Sequence, residues 1–150
     1  MNYAWLFIFV ALLAGAGLPV QAGLNAQIGR HLGHPMLAAV ISLLVGAVSL
    51  LLVALVMKVP LHGATSGMRQ MSLWHWLAGA LGAFFVTTSL ILAPRLGTAV
   101  TFSLVIAGQL LLSVLLDHFG WLGIPVHSVN GWRIAGILLL VAGVILIRKF

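Results

Sequence analysis

The chain has no cysteine and one acidic residue, Asp117, and only 5% of its 150 residues are charged. Without cysteine there can be no disulfide, iron–sulfur cluster or cysteine-held zinc, and nothing about redox compartment follows. So low a charged fraction excludes a soluble globular domain, in which about a quarter of the residues are charged. Lys and Arg are missing from Met1 to Trp5, so the basic start of a secretory signal is lacking. That argues against cleavage at the small residues of "VQA", Val20 to Ala22. The net charge of +6 comes from basic residues at helix ends rather than from one basic stripe, which argues against nucleic acid as a partner. The six histidines include no pair at ligand spacing inside a helix, so neither a metal nor another cofactor is expected. No nucleotide-binding loop, internal repeat or low-complexity tract is present.

What is abundant is apolar: 63% of the residues are hydrophobic, in near-continuous runs. Hydrocarbon forces a backbone to satisfy its own hydrogen bonds, leaving helices or a closed barrel. Continuous runs rather than a period of two select helices. Five are expected, at about 3–28, 36–57, 73–92, 98–116 and 132–147, each near the ~20 residues that cross a bilayer core. They imply an all-α integral membrane protein with one five-helix domain over 1–150. The segments "RHLGHP" and "APRLG" read as tight turns, and "KVPLHGATSGMRQMS" and "DHFGWLGIPVHSVNG" as long loops. The tight turns share one membrane face and the long loops the other.

Orientation is usually set by an excess of Lys and Arg on the cytoplasmic side. Here Lys58, Arg69 and Arg133 fall on the long-loop face, and Arg30, Arg95, Arg148 and Lys149 on the short-turn face. The near balance is either a topology fixed by finer details or a chain that inserts both ways up and pairs antiparallel. Two features favour the second. An odd number of helices lets an inverted partner generate a ten-helix bundle with a pseudo-twofold axis in the membrane plane. Trp5, Trp74, Trp76, Trp121 and Trp132 all fall near the long-loop face, and an inverted partner would restore the second aromatic belt.

Intramembrane polarity is concentrated. Gln21 lies about 27 Å along the first helix, with Asn25 a turn deeper, and Ser42 about 9 Å into the second. Thr87, Thr88 and Ser89 lie about 21 to 24 Å into the third. Gln109, Ser113 and Asp117, spaced i, i+4, i+8, form one stripe on the fourth. Pro19, flanked by Gly15, Gly17 and Gly23, predicts a kink or break in the first helix, of the kind tolerated where a helix lines a water-filled cavity. Each polar residue also has a structural reading. Ser and Thr bond back to their own helix, and amides join helices. Asp117 at a helix end suits a solvated interfacial role, with proton coupling as the alternative. Arg30 and Arg95 are either interfacial anchors or a basic rim that attracts an anion. Small pairs such as Ala78 with Gly82 and Gly79 with Ala83 signal close packing, and Gly136 with Gly143 on the last helix suits a dimer seam.

The segments "PVQAGLNAQIGRHLGHP", "TSLILAPRLGTA", "AGQLLLSVLLDHFGWLG" and "GWRIAGILLLVAGVILI" together resemble the compact five-helix branch of the drug/metabolite transporter superfamily. That is a group of bacterial inner-membrane proteins of about this length. The resemblance covers nearly the whole chain and implies a multi-pass secondary transporter built as an inverted pair, with the first helix and the polar face of the fourth lining the pathway. One departure stands out. The superfamily's small multidrug exporters resemble this chain in architecture but use a glutamate in the first helix, where this chain has Gln21, Asn25 and Gln27.

The expected function is therefore a small secondary-active transporter, not an enzyme, with no catalytic residues. It moves a polar neutral or anionic molecule by alternating access as an antiparallel homodimer in the bacterial inner membrane. Gln21, Asn25, Ser42, Thr88, Ser89, Gln109 and Ser113 are the expected pathway residues, and Asp117, Arg95 and Arg30 the possible charge-coupling groups. The expected partners are membrane lipid, a small-molecule substrate and a second copy. The alternative is a non-transporting membrane scaffold or regulatory subunit, with the buried amides acting only between helices.

Overall fold

A computed structural model of the chain describes residues 3–60 and 62–150; Leu61, in the first long loop, lies outside the described residues. The helices are α1 (Ala4–Leu32), α2 (Pro35–Val56), α3 (Ala64–Gln70), α4 (Leu73–Leu96), α5 (Thr98–Phe119) and α6 (Gly131–Lys149), with one 3-10 turn at Trp121–Gly123. All but α3 are long and apolar enough to cross a bilayer, and no strand occurs among the described residues.

The helix ends differ from the sequence reading for a physical reason. Proline and arginine were expected to end helices, yet Arg30, His31 and Leu32 are the last turn of α1, and Pro94 and Arg95 lie inside α4. In a low-dielectric surrounding the intrahelical ladder is worth keeping past one missing donor. The helices end instead at glycines of positive φ, Gly33 (72°), Gly97 (86°) and Gly120 (64°), which reverse the chain at little steric cost. Arg30 and Arg95, both exposed, thus place their charges on the negative ends of helix dipoles. Of the kink or break expected at Pro19, the break is absent: α1 is a single helix of 29 residues with Pro19 inside it. Proline has no N–H to give the Gly15 carbonyl, so the chain accepts one lost ladder bond rather than a break. At about 1.5 Å per residue α1 spans about 43 Å, beyond the ~30 Å hydrocarbon core, which puts its terminal Arg30 and His31 at headgroup level. The helix α3, inside the first long loop, was not anticipated, because its seven residues carry no apolar period to reveal it.

Contacts divide the chain into two compact units, Met1–Ile91 and Leu92–Phe150. In the first, α1 packs along α2. Ala22, Asn25 and Gly29, at i, i+3 and i+7 on one face of α1, are buried, as are Ala38 and Ala39 on α2. Small side chains bring the two backbones together, most closely at Gly29, where an added Cβ would stand 3.3 Å from Pro35 Cα and 3.7 Å from Ala38 Cβ. The turn is completed by His34, whose Nδ1 accepts from the Met36 N–H at 3.1 Å as the N-cap of α2.

In the second unit α5 packs along α6. Their connection is tied by side chains. Arg133 Nη1 donates to Asp117 Oδ2 at 3.2 Å and to the His127 carbonyl at 2.9 Å. The His127 N–H donates to the Asp117 carbonyl at 2.8 Å, and the Val129 N–H to His118 Nδ1 at 3.3 Å. Asn130 caps α6 by accepting from the Arg133 N–H at 2.9 Å. Gly120 starts the loop, and a Cβ there would meet Val126 Cγ2 at 2.7 Å.

Candidate functional site

A groove of about 430 Å³ runs between α1 and α2 within the first unit. Its α1 wall is a stripe, Gly17, Gln21 and Asn25 at i, i+4 and i+8, flanked by Val20, Leu24 and Ile28. Its α2 wall is Ser42 and Gly46, again a turn apart, with Ile41 and Val45. The glycines leave the volume open: nothing lies within 4 Å of a Cβ added to Gly17 or Gly46. A groove of this size, apolar with a few convergent polar groups, is the usual form of a small-molecule site.

Its polar groups are two amides and a hydroxyl, and among the described residues no charged side chain lines it. Gln21 is exposed and its Nε2 donates across the groove to Ser42 Oγ at 3.5 Å, the outer limit of a hydrogen bond and a weak one. Asn25 is 4% exposed, yet among the described residues its side chain makes no hydrogen bond. Its polar atoms are not sealed off, since Ser89 Oγ is the fully buried, unpartnered side-chain atom among the described residues, and the Asn25 amide keeps access to the groove. Asn25 therefore offers a donor and an acceptor to whatever enters. The sequence pairs Gln21 with Asn25 and marks Gly17 only as weakening the helix around Pro19; extending the same four-residue step one turn from Gln21 and from Ser42 reaches Gly17 and Gly46.

The other anticipated residues are placed differently. Thr88 is half-buried and Ser89 is 4% exposed on α4, and neither lines the groove. The Ser89 Oγ is buried without a hydrogen-bond partner. Gln109 and Ser113 lie on α5 in the second unit, exposed and without hydrogen bonds among the described residues. Asp117 is the half-buried partner of Arg133; the reading had put both on one face without joining them, although a lone acid beside a basic residue on the same face was the available signal. Arg30 and Arg95 stand at helix ends, outside the groove lining. Gly136 is exposed and Gly143 half-buried on α6, and nothing lies within 4 Å of a Cβ at either.

Residues 6–146 match the family described as "Putative inner membrane exporter, YdcZ". The chain is 32% identical, over 149 residues, to the inner membrane protein YdcZ of Escherichia coli strain K12, covering 99% of this chain and 98% of that protein. No solved structure matches the chain significantly. The description is one of exporters, not of enzymes. The match to an inner-membrane family, with five apolar helices suited to spanning a bilayer, places the protein in the inner membrane.

Proposed function

The chain belongs to the YdcZ family of inner-membrane exporters, and on that premise we propose that it is a secondary-active transporter working by alternating access as an antiparallel homodimer. Its cargo is a polar neutral or anionic small molecule. The observation that carries this reading is the α1–α2 groove, where two amides and a hydroxyl line one volume between two candidate membrane spans and the Asn25 side chain makes no hydrogen bond among the described residues. Polar groups that only joined helices would be spent on each other.

The pathway is built on Gln21, Asn25 and Ser42 in the first unit, with Gln109 and Ser113 as the polar stripe of the second. Thr88 and the unpartnered Ser89 hydroxyl are kept as pathway positions on α4. The pairing of Asp117 with Arg133 favours a structural role for the lone acid over proton coupling. The dimer is favoured by the near balance of basic residues between faces, by the odd number of spanning helices, and by the open space beside Gly136 and Gly143 on α6, where a second copy can approach closely. The single five-helix domain is its protomer. Outward transport is adopted from the description of the family.

The chain has no cysteine, so one introduced thiol reports alone. Asn25→Cys and Gln109→Cys should each react with a membrane-impermeant thiol reagent in intact vesicles. Protection of both would overturn the transport pathway and leave amides that only hold helices together.

A further inference from the structure

We propose that the α1–α2 groove binds an uncharged amphiphile: a molecule with one neutral hydrogen-bonding head, such as a carboxamide or an alcohol, and an apolar tail. The inference rests on the transporter reading and narrows its cargo. The groove separates two chemistries. Gln21, Asn25 and Ser42 supply donors and acceptors, while Leu24, Ile28 and Val45 supply apolar wall. A head placed at Asn25 meets an amide that can donate and accept at once and that has no other partner among the described residues.

Charge decides the class. No Lys, Arg, His, Asp or Glu lines the groove, and a charge brought to membrane depth without a counter-charge is expensive. An anion would need a cation, and the basic groups of the short turn, Arg30 and His31, sit on the last turn of α1, beyond the groove lining. A cation would need a carboxylate. The only acid, Asp117, belongs to the other compact unit and is bonded to Arg133. A wholly polar solute, such as a sugar, would face more apolar wall than it could hydrogen-bond. The groove lies among the apolar stretches of two spanning helices, so its occupant can come from the lipid phase as well as from water.

Three probes of one chain length separate the alternatives: octanamide, octanoate and octylammonium, each carrying a photoreactive diazirine on the tail. With the protein in lipid vesicles, the amide should label residues 17–28 and 41–46 in preference to α6, whose Leu139 side chain is exposed and so records non-specific labelling from the bilayer. The carboxylate and the ammonium should label the groove about tenfold less. Asn25→Leu, of similar volume, should cut amide labelling of the groove about tenfold. Gln21→Leu, at an exposed position, is the second variant and should also cut labelling.

Equal groove labelling by all three probes, preference for either ion, or amide labelling unchanged in both variants overturns the inference. So does an interprotein cross-link through a groove cysteine such as Val45→Cys that blocks labelling, since a second copy is then the occupant. Failure of this kind leaves the thiol accessibility of the pathway unaffected. Conversely, selective amide labelling with both pathway cysteines protected sinks the transport reading and keeps the neutral site.

Discussion

At the scale of single residues, the informative contrast is between amides in similar helices with different surroundings. Gln109 is exposed and makes no hydrogen bond among the described residues, so Gln109→Leu should change thermal stability by no more than about 0.5 kcal/mol. A loss of transport without a loss of stability would mark it as a pathway residue. Asn25 has little exposed surface and no hydrogen bond among the described residues, but its amide opens on the groove, so Asn25→Leu should leave the stability of the fold within about 1 kcal/mol of the parent, read by thermal unfolding. Asp117 behaves differently. Its ion pair with Arg133 is partly exposed, and such pairs are worth about 0–1 kcal/mol. Asp117→Asn should therefore lower the melting temperature slightly and loosen the 120–130 loop, leaving groove binding intact. Abolished binding at normal stability would return the carboxylate to the site. Gly120 is the residue with least freedom: alanine there must adopt φ near 64° and push Val126 aside. A loss of about 1–2 kcal/mol or more is expected for Gly120→Ala, read by thermal unfolding.

At the scale of helices, the apolar runs announced five spanning elements, because hydrocarbon leaves a continuous apolar segment few alternatives to a helix. The ends were harder to read. Pro19 and Pro94 look like stops in a soluble protein, whereas α1 and α4 run through both and the positive-φ glycines Gly33 and Gly97 follow their last residues. The site was half legible. Gln21, Asn25 and Ser42 could be picked out by polarity alone, but their convergence depends on how closely α1 meets α2, and that is set by Gly29 and Ala38 near the turn, residues with no polar signal. The Asp117–Arg133 clasp was hidden for a related reason: sixteen residues separate its partners, and only the path of the loop joins them. Gly29 offers the test at this scale. Its added methyl in Gly29→Ala would press on Pro35 backbone, spreading the helices at a cost of about 1–3 kcal/mol. Because the groove shares those walls, amide-probe labelling should weaken in proportion. Unchanged stability and labelling would show that α1 and α2 are not held by this contact.

At the scale of the whole molecule, seven basic residues and one acid give the membrane little to orient by. The tryptophans are exposed near helix ends, Trp5 at the start of α1, Trp74 and Trp76 at the start of α4, and Trp132 at the start of α6, where an aromatic ring anchors to an interface. On the proposed reading, a protomer with aromatics near one face and basic groups near both inserts either way up, and two such protomers pair as an inverted repeat. The most direct test is the location of the C-terminus. A reporter that is active on only one side of the membrane, fused after Phe150 and paired with a second reporter active only on the other, should give substantial signal from both, and a few lysines added to one face should drive the population to a single orientation and abolish transport. A C-terminus found on one side only, in the unaltered chain, would contradict the antiparallel homodimer.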